Sequence, residues 1–256
     1  MSDNSENPRS GAAGRTAAVI PAAGRGVRLG PGTPKALRPL GGTPMLIHAI
    51  RALTQARAVS LVVVVAPPDG TEEVRAALYA HPLPDDAVEV LVVAGGENRQ
   101  ESVRLGLAAL PDTVDVVLVH DAARPLVPVE LVDAVAAAVR GGRPAVVPAL
   151  PVPDTVKEVK PGEGGEPEPV VATPDRSRLR AVQTPQGFDR ATLAEAHQRL
   201  ADEPGEGATD DAGMVERLGA PVVLVPGHQE AFKVTRPLDL VLAEAVLARR
   251  RATDGF

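Results

Sequence analysis

A basic, glycine-rich segment, Pro21-Ala-Ala-Gly-Arg-Gly-Val-Arg28, opens directly after an apolar run, and Lys35 follows seven residues beyond Arg28. Small side chains let a backbone approach a phosphate or a base closely, and successive N–H groups can form an anion-binding nest. Arg28 and Lys35 add the positive charge that a triphosphate needs. Two familiar glycine-rich signatures are not met. Gly24-Arg25-Gly26-Val27-Arg28-Leu29 lacks the third glycine of the dinucleotide fingerprint, and no Gly-Lys-Ser/Thr follows as in a P-loop. Taken alone, the segment is also compatible with a plain turn. A second candidate is Val119-His120-Asp121-Ala122-Ala123-Arg124-Pro125. An acidic residue just past a buried strand can hold Mg²⁺ or a ribose hydroxyl, since Mg²⁺ favours one or two carboxylates with substrate phosphates. Asp121 could equally cap the next turn. His120 reads as a packing or hydrogen-bonding residue rather than a base. Only four lysines occur, at 35, 157, 160 and 233, in a chain whose positive charge is otherwise arginine. A lysine in such a background points to a need for its compact charge.

These residues need a frame. Thr16–Ile20, Leu61–Ala66, Val88–Ala94, Val116–His120 and Ala145–Ala149 read as buried strands. Pro44–Ala56, Thr71–Ala80, Asn98–Leu110 and Pro128–Arg140 read as the helices between them, with proline where a helix start tolerates it. Asn98 and Glu101 have the spacing of a capping box. Alternation of this kind implies right-handed βαβ crossovers, a mostly parallel sheet, and ligands at the carboxyl ends of the strands. The pattern breaks after Leu150. Residues 151–183 are proline-rich and contain Pro161-Gly-Glu-Gly-Gly-Glu-Pro-Glu-Pro169 between short β-like pieces. This segment is either a disordered surface insertion or a two-stranded arm. An isolated hairpin is marginal in water, so an arm would need a partner subunit. Helices are expected near Arg190–Ala201, Thr209–Leu218 and Pro237–Arg251, with a strand at Val222–Pro226.

Composition sets the outer limits. The chain has 256 residues, which suits one large α/β domain, and 44% are hydrophobic but only 2% aromatic, so the core must be Val, Leu, Ile and Ala. A net charge of −6 argues against a general nucleic-acid binder. The absence of cysteine excludes disulfides, thiolate metal sites and a cysteine nucleophile. Residues 1–15 are polar and read as a flexible tail without the apolar core of a signal peptide. No apolar run is long enough to span a bilayer. A cytoplasmic protein that binds neither membrane nor nucleic acid is expected.

The residue pattern Pro-Ala-Ala-Gly-x-Gly-x-Arg followed by Pro34-Lys35 resembles the signature loop of sugar-nucleotide pyrophosphorylases and related nucleotidyltransferases. His120-Asp-Ala-Ala-Arg-Pro125 narrows this, as do Gly95-Gly96 with Ser102, Asp154-Thr155-Val-Lys157, Thr184-Pro-Gln186, Thr209-Asp-Asp211 and Lys233-Val-Thr235. In this order the set is similar to the 2-C-methyl-D-erythritol 4-phosphate cytidylyltransferases, the CTP-using enzymes of the non-mevalonate isoprenoid pathway. The resemblance implies a Rossmann-like, mostly parallel sheet flanked by helices over residues 16–252, with 151–183 an extended β-arm for homodimerisation. It implies that Ala22, Ala23, Gly24, Gly96 and Ser102 surround the cytosine and ribose. Asp121 would lie near the ribose and the Mg²⁺-triphosphate. Arg28, Lys35 and Lys233 would neutralise the phosphates, Thr155 and a partner subunit's Arg176 would hold the acceptor, and Arg124 and Thr184 would support the pocket. Mg²⁺ or another divalent cation is the implied cofactor.

Such a reaction needs no strong base, because the acceptor phosphate is already an anion near neutral pH. Its obstacle is electrostatic, and positioning with charge neutralisation would carry it. Three departures stand out. Ala36 follows Lys35 where Gln is common, Ala231 stands where an Asn often lies, and the acceptor segment Thr173-Pro-Asp-Arg176 matches only through its last pair. Two other readings share these residues, a cytidylyltransferase for another polyol phosphate such as ribitol 5-phosphate and a catalytically silent nucleotide-binding protein. The length leaves no room for the cyclodiphosphate synthase domain fused in some relatives, so one reaction is expected.

Overall fold

Nineteen strands and α-helices lie among the described residues of a computed structural model, which are 14–23, 34–84, 88–162, 166–200 and 210–254. In order they are β1 (Arg15–Pro21), β2 (Pro39–Leu40), β3 (Thr43–Pro44), α1 (Met45–Thr54), β4 (Val59–Ala66), α2 (Thr71–Ala80), β5 (Glu89–Ala94) and α3 (Arg99–Ala108). Then follow β6 (Val114–Val119), α4 (Val129–Arg140), β7 (Ala145–Pro151), β8 (Glu158–Val159), β9 (Val170–Ala172), β10 (Arg180–Val182) and β11 (Gln186–Asp189). The last are α5 (Arg190–Arg199), α6 (Asp211–Arg217), β12 (Val222–Pro226) and α7 (Pro237–Asp254). The expected tail lies outside the described residues up to position 13, but Arg15 is not tail: it begins β1, and its guanidinium bonds to Ser60.

The main sheet runs β5–β4–β1–β6–β11–β7, with β12 on the far side of β7 and β10 continuing the path of β11 along β7. Every pairing is parallel except those made by β10 and β11. The mostly parallel expectation is met, and β11 is the strand that the sequence reading missed. Gln186-Gly-Phe-Asp has one apolar side chain where a buried strand usually has several, yet Phe188 is fully buried. Successive residues of β1 point to opposite faces, and both faces are dry. Ala18 and Ile20 pack with Leu46, Ile50 and Val132 of α1 and α4. Ala17 and Val19 pack with Val103 of α3, Leu193 of α5 and Val215 of α6. The strands therefore read as continuous apolar runs, as parallel strands covered on both sides do. A satellite cluster of Leu40, Met45, Leu126, Val234 and Ala243 seats α7.

Helix starts largely follow the local chemistry. Pro44 and Pro128 are the N-caps of α1 and α4 rather than their first residues. Asn98 caps α3, its side chain accepting the Glu101 N–H at 2.8 Å, but the return bond is displaced by one residue. The Glu101 carboxylate accepts the N–H of Glu97 instead of that of Asn98. Asp189 and Asp210 cap α5 and α6 in the same way.

Gly106 brings α3 close to the sheet. A Cβ there would lie 2.6 Å from Cγ1 of Val19 and 2.8 Å from Cγ2 of Val65, both on central strands with stiff χ1 angles. Alanine in a helix is normally about 1 kcal/mol better than glycine, but overpacking costs about 1–3 kcal/mol. Gly106→Ala is thus expected to lose about 1 kcal/mol net, read as a lower urea midpoint at unchanged slope; an unchanged or raised midpoint would contradict the packing account.

The described residues of 151–183 include a short two-stranded ribbon. β8 and β9 pair antiparallel through Glu158↔Ala172 and Val159↔Val170. Lys157 donates from Nζ to Oγ1 of Thr173 at 2.8 Å, tying the two sides together. Val170 and Val171 are more than half exposed on this ribbon. No helix among the described residues is long and apolar enough to cross a membrane.

Candidate active site

Chain order sets the place of the site. From β1 the sheet grows through β4 to β5, and the chain then returns to lay β6 on the opposite side of β1. The carboxyl ends of β1 and β6 therefore flank a switch point, where open α/β sheets bind ligands. The parallel ladder runs one step past both strands, since His120 donates its N–H to Val19 O at 2.9 Å and Ala22 donates to Val65 O at 2.8 Å. These bonds aim Ala22, Ala23, Asp121, Ala122 and Ala123 into a cavity of about 280 Å³.

Lys35, Ser102 and Lys233 line the same cavity. Six residues expected from sequence (Ala22, Ala23, Lys35, Ser102, Asp121 and Lys233) thus converge from five separate stretches of chain. Ser102 is fully buried in the first turns of α3, where its Oγ accepts the Gly96 N–H at 3.2 Å and donates to Asn98 O at 2.8 Å. Gly96 itself stands behind that bond rather than on the cavity wall. Gly24 and Arg28 lie outside the described residues.

Asp121 is the electrostatic centre. Its Oδ2 sits 2.8 Å from Lys233 Nζ and 3.8 Å from Arg124 Nε. Burial alone would raise its pKa, but the charges of Lys233, Arg99 and Arg124 outweigh that and bring it down to about 2. The carboxylate is ionised throughout the neutral range. The stability it contributes is present above its ordinary value of 3.8 and is lost as pH falls towards 2.

Arg124 and Thr184 hold this arrangement from beneath. Arg124 Nη1 donates to Ala231 O at 2.6 Å and Nη2 to Val182 O at 3.2 Å, while Val234 N–H donates to Ala123 O at 2.8 Å. The stretch carrying Lys233 is thereby clamped to the stretch carrying Asp121. Thr184 Oγ1 accepts the Asp121 N–H at 3.1 Å and lies 3.0 Å from His120 Nδ1. His120 Nε2 lies 3.1 Å from Arg124 O, which can only accept. One assignment satisfies the chain: His120 carries its proton on Nε2, and the Thr184 hydroxyl donates to Nδ1. His120 is a structural residue, as its sequence context indicated, and not a base.

Burial pushes the His120 pKa from 6.5 to about 4, despite the opposing pull of Asp121. A base with a depressed folded pKa binds fewer protons than the unfolded chain between those two values. Stability therefore falls as pH drops from 6.5 towards 4, by on the order of 3 kcal/mol from this residue. Urea titrations at pH 7, 6 and 5 should show the decline, and His120→Gln should flatten it. Equal slopes for the variant and the parent protein would remove His120 from the account.

The cavity also contains Glu97 and Arg99, which the sequence reading did not single out, with Asn98, read there only as a helix cap, and Thr235, named there only as part of the Lys233-Val-Thr235 motif. Arg99 is the first residue of α3, and its Nη2 lies 2.6 Å from Oδ2 of Asp211, a side chain with no exposure. The other Asp211 oxygen is 2.9 Å from His197 Nε2. Asp211 belongs to the Thr209-Asp-Asp211 motif, which named the residue but gave it no role. Thr155 and Arg176 are not brought to the cavity within one chain. Both are exposed on the arm, where Arg176 Nη1 donates to Pro153 O at 2.6 Å.

A switch-point cavity walled by small residues and holding one ionised aspartate and two lysines suits a nucleotide and its phosphates. The comparisons agree. The family model of 2-C-methyl-D-erythritol 4-phosphate cytidylyltransferase (IspD) matches residues 16–249. The enzyme of that name from Streptomyces avermitilis is 72% identical over 257 residues, covering all of both chains. The one from Streptomyces coelicolor is 73% identical over 243 residues, covering 94% of this chain and 88% of its own. Among solved structures, 2-C-methyl-D-erythritol 4-phosphate cytidylyltransferase from Thermus thermophilus is 38% identical with a TM-score of 0.67, over 90% of this chain and 98% of its own. The chain belongs to the 2-C-methyl-D-erythritol 4-phosphate cytidylyltransferase family.

Proposed function

We propose that the protein transfers the cytidylyl group of CTP to 2-C-methyl-D-erythritol 4-phosphate, releasing pyrophosphate and forming 4-diphosphocytidyl-2-C-methyl-D-erythritol, a step of isoprenoid precursor synthesis. The observation that carries this reading is the Asp121–Lys233 pair lining one cavity with Lys35 at the ends of β1 and β6, in a chain of this family. The small wall of Ala22, Ala23 and Ser102 suits a pyrimidine and its ribose. Gly24, with Gly96 behind Ser102, would complete that side.

In this reading an oxygen of the acceptor phosphate attacks the α-phosphorus of CTP. The new P–O bond forms as the bond from the α-phosphorus to the bridging oxygen breaks, and the electron pair leaves with pyrophosphate. The nucleophile is already anionic, so no side chain need remove a proton. What the protein supplies is positive charge against a polyanion, from Lys35, Lys233 and, by family resemblance, Arg28. Mg²⁺ fits the donor set. It is commonly held by one or two carboxylates with phosphate oxygens completing its shell, and Asp121 is ionised in the cavity. Bound there, the ion would neutralise the triphosphate. Asp121 would hold it while Lys233 remains poised for the transferring phosphoryl group. The reaction is set in the cytoplasm, where both phosphorylated substrates are retained.

The acceptor side is proposed to be completed by a second subunit. Val159, Val170 and Val171 are exposed on a ribbon too small to be stable by itself, which supports an arm that packs on a partner. Thr155 would bind the acceptor, and Arg176 would reach the partner's cavity. Arg176→Ala should then raise the acceptor KM about tenfold or more with little change in the KM for CTP. At an acceptor concentration well below the raised KM, mixing it with a Lys233→Ala subunit should give more activity than the sum of the two variants measured alone. A defect confined to the KM for CTP, or no recovery on mixing, would contradict the shared site.

The direct test is pyrophosphate release from each of the four NTPs, with 2-C-methyl-D-erythritol 4-phosphate or ribitol 5-phosphate, with and without Mg²⁺. Release only with CTP, the methylerythritol acceptor and the ion supports the proposal. Preference for ribitol 5-phosphate would move it to another polyol, and no release under any condition would leave a silent nucleotide binder.

A further inference from the structure

Arg99 sits on the cavity wall at the start of α3, beside Asn98 and Ser102, with about a third of its side chain exposed. Its charge is already matched. Asp211, 2.6 Å away, is wholly buried, and the second Asp211 oxygen is engaged by His197 Nε2 at 2.9 Å. The anchor is itself fixed from three elements. Asp210 caps α6 and receives Gln186 Nε2 at 2.6 Å, and Gln186 Oε1 receives the Ala212 N–H at 3.1 Å. The starts of α3 and α6, the body of α5 and strand β11 are thus locked together around one carboxylate.

A buried carboxylate is costly unless it is paired, and a guanidinium bound through one nitrogen keeps further N–H donors in a fixed fork. Among the described residues, Asp211 is the only ion-pair partner of Arg99. The paired group carries almost no net charge, so it is poorly suited to neutralising a triphosphate. It is well suited to a directional bond with a neutral oxygen. It also lies at the start of the helix that carries Ser102, on the wall of the same cavity.

We propose that Arg99 is a further nucleotide-binding residue that donates to an uncharged oxygen of the nucleoside, a base carbonyl or a ribose hydroxyl, and that Asp211 with His197 positions it. The assignment rests on the CTP reading above. Lys35 and Lys233 then serve the phosphates, and Arg99 serves the nucleoside end of the same ligand.

The phosphate series separates these roles. Dissociation constants for CMP and CTP in the presence of Mg²⁺ are measured for the parent protein, Arg99→Gln, Arg99→Lys, Asp211→Asn, the Arg99→Gln/Asp211→Asn double variant and Lys35→Ala. Arg99→Gln should weaken CMP and CTP by the same factor, about 10- to 100-fold, whereas the loss in Lys35→Ala should be larger for CTP than for CMP. Arg99→Lys retains the ion pair but not the fork, and should keep the parent melting temperature while losing nucleotide affinity. Asp211→Asn should weaken both ligands, and the double variant should bind no worse than Arg99→Gln alone. The inference is overturned by parent-like affinity of Arg99→Gln for both nucleotides, by a loss confined to CTP, or by fully additive losses in the double variant. If Asp211→Asn does not fold, the two Arg99 variants still decide the matter. A parent protein that does not prefer CTP over ATP, GTP and UTP defeats the CTP reading itself. Normal CTP binding beside an unaffected Arg99→Gln defeats only this assignment.

Discussion

Lys233→Ala is expected to lower turnover by about 10²–10³ while leaving the fold intact. The side chain is 41% exposed and its Nζ lies 2.8 Å from Asp121 Oδ2, so its loss removes a preorganised cation from the cavity rather than a piece of the core. A partly exposed ion pair of this kind contributes only about 0–1 kcal/mol to stability, and the urea midpoint should barely move. In the proposed transfer the chemical step is hit twice. The developing charge at the α-phosphoryl group loses its donor, and Asp121 loses the cation that does most to keep its pKa near 2. Lys35→Ala should show a loss of similar size, because two anions must still be brought together. Near-normal turnover in purified Lys233→Ala would remove the charge-neutralising role assigned to it.

The second large effect is expected at Arg124 and should appear in stability as well as rate. Arg124→Leu leaves Ala231 O and Val182 O without the donors they have at 2.6 and 3.2 Å, and takes one cation from Asp121. Breaking a buried charged network by removing one partner typically costs about 3–5 kcal/mol. Because the same guanidinium clamps the stretch carrying Lys233 to the stretch after β6, turnover should fall with it. Urea unfolding and steady-state rates on one preparation measure both. A variant with parent-like stability but lost activity would make Arg124 a substrate ligand instead of the support it is taken to be.

The parts of the fold that could be read from sequence are those with a local signal. Valine-rich runs at 61–66 and 116–119 are buried on both faces, and the helix start at Asn98 carries a side chain that caps it. Strand β11 has no such signal, because Gln186 and Asp189 are polar for reasons that exist only once α5 and α6 are in place. The site divides along the same line. Lys35, Asp121 and Lys233 stand out as charges next to strand ends or in motifs. Arg99 does not, because in a chain rich in arginine nothing local distinguishes the one that meets a buried aspartate 112 positions away. Thr155 and Arg176 lie on the exposed arm, where a site shared between subunits would leave them in a single chain.

The proposed reaction is a direct transfer in a site that supplies position and charge but no covalent partner. Stereochemistry at phosphorus tests this most directly, using CTP made chiral at the α-phosphorus by sulfur substitution and product analysis by ³¹P NMR. One in-line displacement predicts inversion of configuration at that phosphorus. Retention would mean two displacements and a cytidylylated side chain, and would contradict the assignment of Asp121, Lys35 and Lys233 as an electrostatic cradle for a single step.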